Sequence, residues 1–236
     1  MSATLDTAET APAGTDDEDT HPTRRSSGGW WAVITPVAAA AALGLLLWFL
    51  VAPADEDPAA DTPTTDSADA GFARDMAVHH QQAVEMSFIV RDRTDDEDVR
   101  RLAYDIAQTQ ANQRGMMHGW LDLWGLPKIS SDGYMTWIKE GHDGHAGGET
   151  KDGSLMPGMA TDTELERLGK TSGKDAEILY LQLMTDHHKG GVTMARACAQ
   201  QCAVPLERKM AQGMVNGQQS EMDLMADMLK DRSALR

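Results

Sequence analysis

Two adjacent histidine pairs, His79-His80 and His187-His188, stand in the same frame of this 236-residue sequence, Met-x-x-His-His-x5-Met. The first copy holds Met76, His79, His80 and Met86; the second holds Met184, His187, His188 and Met194. On a helix, positions i, i+3 and i+4 share a face, so Met76 stands beside its histidine pair and Met184 beside the other. Adjacent histidines point about 100° apart, so one of each pair can face a core and the other a neighbouring groove. Met86 and Met194 lie two turns further along the same stripe. Imidazole with thioether suits copper, the thioether favouring Cu(I), whereas calcium and magnesium want oxygen and zinc gains little from methionine. These eight residues are the candidate metal ligands. Two plainer readings stand beside that one: methionine as a flexible core filler, and the histidines as a polar core network without metal.

Four further polar residues fall on inward stripes. Gln110 and Gln113 follow the line of Ile106, Met117 and Trp120, and Gln218 and Glu221 follow Met214 and Met225. A buried amide or carboxylate without a partner is costly, so these four are expected to hydrogen-bond the histidines and orient them. Weaker ligand candidates are His142 and His145 in the glycine-rich GHDGHAGGE loop, and His118 with Met117. Cys198 and Cys202, spaced by four at a helix end, allow a disulfide, a Cu(I) thiolate pair or two free thiols.

The elements that position these residues come from a duplication. An offset of 108 aligns FARDMAVHHQQAVEMS with YLQLMTDHHKGGVTMA and runs ungapped for about 50 residues. It also matches Gln110 with Gln218, Met117 with Met225 and Leu121 with Leu229. Each copy reads as a helical hairpin, over about 72–124 and 176–232. In the first, a helix from Phe72 to about Val90 is followed by Thr94-x-x-Glu97, a capping box that opens the next helix. There the apolar residues Val99, Leu102, Ala103, Ile106, Met117, Trp120, Leu121 and Trp124 keep the helical period. In the second, a helix from Ala176 to about Ala199 precedes Pro205, well placed as the first residue of its partner, which carries Leu206, Met210, Met214, Met225 and Met228 on one face. Two hairpins make a four-helix bundle. The crossover, 125–175, is long and holds the HDGH loop, then MPGM, then Thr161-x-x-Glu164 capping a short helix. One long crossover between two hairpins is the ferritin-like arrangement, so the expected class is all-α.

Outside that bundle, 71–236, the chain reads differently. Residues 30–52 carry no charge over a length that spans a bilayer core of about 30 Å. Tryptophans stand near both ends (Trp30, Trp31, Trp48), and Pro36 is tolerated within such a span. Arg24 and Arg25 precede it, while Asp55, Glu56 and Asp57 follow. The positive-inside rule then sets 1–29 in the cytoplasm and the bundle outside. A cleaved signal peptide is the competing reading, because Ala52-Pro53-Ala54 has the A-x-A form. Residues 1–29 and 53–70 are polar, without apolar period, and read as tail and linker. The net charge of −16 argues against nucleic acid and favours cations.

The repeated histidine–methionine hairpins, and MPGM followed by a capped short helix, resemble the DUF305 family of bacterial extracytoplasmic proteins over about 71–229. The resemblance implies a ferritin-like fold and, since some members are periplasmic copper-binding proteins of the CopM type, a copper site at the eight repeated positions. Three functions are weighed: copper binding or homeostasis by a membrane-anchored domain; a metal-free structural or partner-binding module at the cell surface; and a di-metal oxidase. The oxidase wants Glu-x-x-His on paired helices, and neither half has it beside its histidine pair. No nucleophile–base arrangement stands out, so the sequence reads as a binding protein and not an enzyme. It names no protein partner and no oligomeric state.

Overall fold

The computed structural model describes residues 62–138 and 151–234. The expected membrane span at 30–52 and the HDGH loop with His142 and His145 lie outside these, and no described helix is long and apolar enough to cross a membrane.

Five helices and no strand make up the described residues: α1 (Ala68–Arg91), α2 (Glu97–Leu123), α3 (Asp162–Lys170), α4 (Gly173–Gln201) and α5 (Pro205–Ala234). α1 packs on α2 and α4 on α5, giving the two hairpins; α1 and α4 also pack on each other, and the short α3 lies against both. Local chemistry sets the ends. α1 starts at Ala68 and not at Phe72, because the Ser67 side chain accepts the Ala70 N–H. The cap of α2 is Asp96, which accepts the Val99 N–H, so the expected Thr94 box does not form. Thr94 instead donates to Glu177 at 2.6 Å. At α3 the Thr161–Glu164 box does form, with both reciprocal bonds. α4 starts at Gly173, and Pro205 opens α5, where its missing N–H is harmless.

Apolar burial falls into two clusters. One holds Phe72, Met76, Met117, Leu121, Trp137, Met194 and Met214; the other holds Met86, Ile106, Leu168, Tyr180, Leu181, Met184 and Met225. Each such side chain contributes about 1.5–3 kcal/mol by leaving water. Leu206 departs from its expected face and is 57% exposed, because its neighbour Glu207 takes the buried position in the first turn of α5. Along α1 the first cluster ends at Ala77 and the second begins at Ala83; along α4 the second ends at Met184 and the first begins at Val192. The helices therefore run antiparallel, and the histidines occupy the gap between two apolar layers.

Polar latches hold the ends. The buried Asp75 carboxylate accepts the Met135 N–H at 2.7 Å and the Trp137 indole N–H at 2.9 Å, tying the start of the crossover to α1. Trp137 lies on Gly71 so closely that a Cβ there would stand 2.3 Å from the indole. At the opposite end Arg232 pairs with Glu177 at 2.7 Å and with Asp96 at 3.0 Å, joining α5, α4 and the start of α2.

Candidate metal centre

The four paired histidines are fully buried, and so are Met76, Met86, Met184 and Met194. The antiparallel crossing sorts them in a way the linear spacing did not suggest. Met76 of α1 shares a cluster with Met194 of α4, and Met86 shares the other with Met184. Each thioether pair is thus drawn from both repeats, one on either side of the histidine layer.

Within that layer the two copies are related by the same offset of 108. His79 and His187 meet at the crossing, ring centroids 3.7 Å apart, and His187 Nε2 lies 3.0 Å from the His79 carbonyl oxygen. His80 and His188 point outward to the flanking helices. His80 Nε2 lies 2.8 Å from Gln113 Oε1 on α2, and His188 Nε2 lies 2.6 Å from Glu221 Oε2 on α5. Each of these oxygens only accepts, so Nε2 of His80, His187 and His188 carries the proton and donates. In a neutral ring Nδ1 is then left as a lone pair, and on all three rings Nδ1 is buried without a partner. Neither nitrogen of His79 has a well-formed hydrogen bond, though the Pro157 backbone carbonyl lies close enough to pull its pKa upward against burial.

Burial keeps His79, His80 and His187 neutral. It depresses the His79 pKa to about 3, helped by the neighbouring His80 and His188, and the His80 pKa to about 4 against the pull of Gln113. His187 moves the same way for the same reason, with the other three histidines adding to it. Neutral imidazole is the form that ligates a metal. Gln110 is buried with both side-chain polar atoms unpaired, as is Oε1 of its counterpart Gln218. Each orphaned polar group costs about 1–3 kcal/mol, so this layer is expensive with nothing bound.

The donor set of imidazole lone pairs and thioethers fits a soft or borderline ion. It is not a preformed four-histidine cage. Among the described residues no three histidines bring nitrogens within 4.8 Å of one another; the cluster that meets that spacing is Cys198, Cys202 and Glu207. Cys198 and Cys202 are joined as a disulfide. Met117 packs in the apolar cluster of Met76 and Met194, whereas His118 is only part-buried, so those two candidates do not converge.

A strap that sequence reasoning treated only as a motif crosses the layer. Gln82 donates to the Ala160 carbonyl at 2.9 Å and accepts the Ala160 N–H at 2.7 Å, pinning 156–160 to α1. On α4 the repeat-equivalent of Gln82 is Gly190, where a Cβ would stand 1.9 Å from the Pro157 carbonyl oxygen. At Gly158, φ +83°, a Cβ would stand 2.4 Å from the Asp186 carbonyl oxygen. The signal was present in HHKGG: a glycine pair beside a buried histidine pair marks a close backbone approach.

A family model described as "Domain of unknown function (DUF305)" matches residues 69–229. No curated protein matches the chain. Among solved structures, a DUF305 protein from Streptomyces coelicolor, described as secreted, is 64% identical with a TM-score of 0.65, covering 72% of this chain and 96% of that one. A DUF305 fragment from Deinococcus radiodurans is 26% identical with a TM-score of 0.57, over 70% and 96%. CopM in its Cu(I)-bound form shares the fold at 18% identity and a TM-score of 0.51, over 69% and 96%; its Cu(II)-bound and Ag-bound forms match as well.

Proposed function

Since the chain belongs to the DUF305 family, we propose that it is an extracytoplasmic metal-binding protein that takes copper between its two repeats. The observation that carries this reading is the set of buried, unpartnered Nδ1 atoms on His80, His187 and His188, each ring fixed through Nε2 by an acceptor. A histidine whose second nitrogen is held by a carboxylate or carbonyl is the arrangement by which proteins fix the tautomer of a metal ligand. The fold neighbours solved with Cu(I), Cu(II) and Ag support the choice of metal. The ligands are Met76, His79, His80, Met86, Met184, His187, His188 and Met194; Gln113 and Glu221 orient the outer rings, and Gln110 and Gln218 complete the polar layer. Thioethers on both sides favour Cu(I).

The two hairpins with one long crossover are read as a ferritin-like bundle. Residues 30–52 anchor the domain outside the cytoplasm, and the acidic chain draws cations toward it. The secreted character of the Streptomyces relative supports that location. A metal-free polar core is the poorer reading, because it leaves the orphaned nitrogens and amides of one layer uncompensated.

Copper content and Cu(I) affinity of the full chain, measured against a competing chelator, test this. Stoichiometric copper that disappears when His79, His80, His187 and His188 are changed to alanine, with helical circular dichroism retained, is the expected result. Unchanged copper in that variant would refute the ligand assignment.

A further inference from the structure

The turn between α4 and α5 holds a second group of metal-ligating side chains, remote from the histidine layer. Cys198 lies in the last turn of α4, Cys202 is its C-cap, and Glu207 stands in the first turn of α5. All three are buried, at 0%, 3% and 0% exposure. One ligand atom from each lies within 4.8 Å of the others. Glu207 is the unusual member: neither of its oxygens receives a hydrogen bond, and its one polar partner is the side chain of Asp69. Asp69 also accepts the Ala203 N–H at 3.0 Å and the Val204 N–H at 2.7 Å. A buried carboxyl set between a disulfide and a second carboxyl costs more than alanine or leucine would in its place.

We propose that Cys198, Cys202 and Glu207 form a redox-gated metal site, closed as the disulfide and open, on reduction, to a thiophilic closed-shell ion of the Zn(II) class. A dithiol reductant gives two electrons and two protons to the sulfur–sulfur bond and itself closes to a disulfide. The ion then binds two thiolates and one carboxylate, and two thiol protons and the Glu207 proton leave to solvent. Thiolate and carboxylate are both zinc ligands, and three protein ligands leave the fourth position to water. Ligand atoms on one tetrahedral zinc stand about 3–4 Å apart, so the cluster needs only a small adjustment once the sulfurs separate. Glu207 sits in the first turn of α5, where the helix dipole favours the negative charge the site would gather.

In the oxidised protein Glu207 is held as the acid. Burial raises its pKa to about 10, and the neighbouring Asp69 raises it further in the same direction. Its side chain is hydrogen-bonded to Asp69.

The test uses Co(II) as the probe, because thiolate-to-Co(II) charge transfer is a band that histidine and methionine do not give. The full chain is titrated with Co(II) in the oxidised state and after reduction with a phosphine. One equivalent of Co(II) should give the band only in the reduced chain, Zn(II) should displace it, and Cys198→Ser should abolish it. Glu207→Gln should weaken Co(II) by at least the roughly tenfold that loss of even an outer partner costs. If Glu207→Gln does not fold, Glu207→Asp, with the carboxyl drawn back by one methylene, takes its place with the same expectation. No band in the reduced chain, a band indifferent to Glu207, or a reduced chain that loses its helical circular dichroism would each overturn the proposal; the last would make the disulfide a structural staple.

Discussion

His79 and His187, 108 residues apart in sequence, lie ring against ring at 3.7 Å, and the second bonds the backbone carbonyl of the first. The contact sits where the two repeats cross, with apolar layers on either side. Neither ring can move without displacing the helix that carries the other.

The acceptors on the outer rings should control metal affinity more than fold. Gln113→Leu and Glu221→Leu each free the Nε2 proton of a buried histidine and leave the tautomer unset. A loss of about 10–100-fold in copper affinity is expected for either. Competition titration reads it, and Glu221→Gln, which keeps an acceptor, should lose less.

Gly190→Ala should loosen the strap over the layer. The added methyl meets backbone at Pro157 and not a flexible side chain, so the strap must lift or α4 must shift. Overpacking of this kind costs about 1–3 kcal/mol. Urea unfolding measures it, and limited proteolysis within 151–160 should become faster. Gln82→Ala, which removes both bonds to Ala160, should act in the same direction.

Arg232 holds the far end of the bundle. It is 8% exposed and pairs with both Glu177 and Asp96. Arg232→Ala leaves Glu177 buried with only Thr94 as donor, and breaking a buried pair in this way costs about 3–5 kcal/mol. Thermal unfolding of the metal-free chain should show a clear drop, and Arg232→Lys should restore only part of it.

Metal-free stability should peak near neutral pH. His79, His80 and His187 stay neutral when folded, whereas the unfolded chain takes up their protons near the ordinary value of about 6.5. Their contribution is therefore complete above that pH and falls as the pH drops toward 4 and 3, by up to about 1.4 kcal/mol per pH unit for each ring. Asp75, raised to about 6 by burial, and Glu207, raised to about 10, act oppositely because they hold protons in the folded state. They reduce the acid-side slope, and the loss from Glu207, which begins above its unfolded value of 4.5 and runs to about pH 10, stands alone above neutrality, at up to about 1.4 kcal/mol per pH unit. Glu207→Gln in the oxidised chain should remove that alkaline loss, stabilising by at least about 1 kcal/mol at pH 8 and by little at pH 4. Equal pH profiles for the two proteins would contradict it.

How far the sequence discloses this protein depends on whether a feature is local. The helical hairpins are legible because apolar period, Pro205 and the Thr161–Glu164 box act over a few residues. That the two histidine pairs play matching parts is legible because the repeat shows each in the same frame; the burial of all four rings goes beyond the expected one core-facing histidine per pair. Of the four polar residues expected to meet the histidines, Gln113 and Glu221 do, whereas neither polar atom of Gln110 and not Oε1 of Gln218 finds a partner. What could not be read is whatever the antiparallel crossing decides. The exchange of methionines between repeats, the seat of Trp137 on Gly71 and the meeting of Glu207 with a disulfide depend on distances between residues far apart in the chain. Thr94 shows the same limit on a smaller scale. Its spacing from Glu97 fits a cap, but Glu177 on α4 claims its hydroxyl and Asp96 takes the capping role.

The equivalence of Gln113 and Glu221 across the repeat is broken in one respect: a neutral amide faces His80 where an anion faces His188. A symmetric dimer of single hairpins could never hold that difference, since both subunits would come from one gene segment and carry the same side chain. Covalent fusion frees one half to change alone. The histidine layer thus has a polarity, with a cation better held on the Glu221 side than on the Gln113 side, and an ion entering it would meet two unequal stations in one chain.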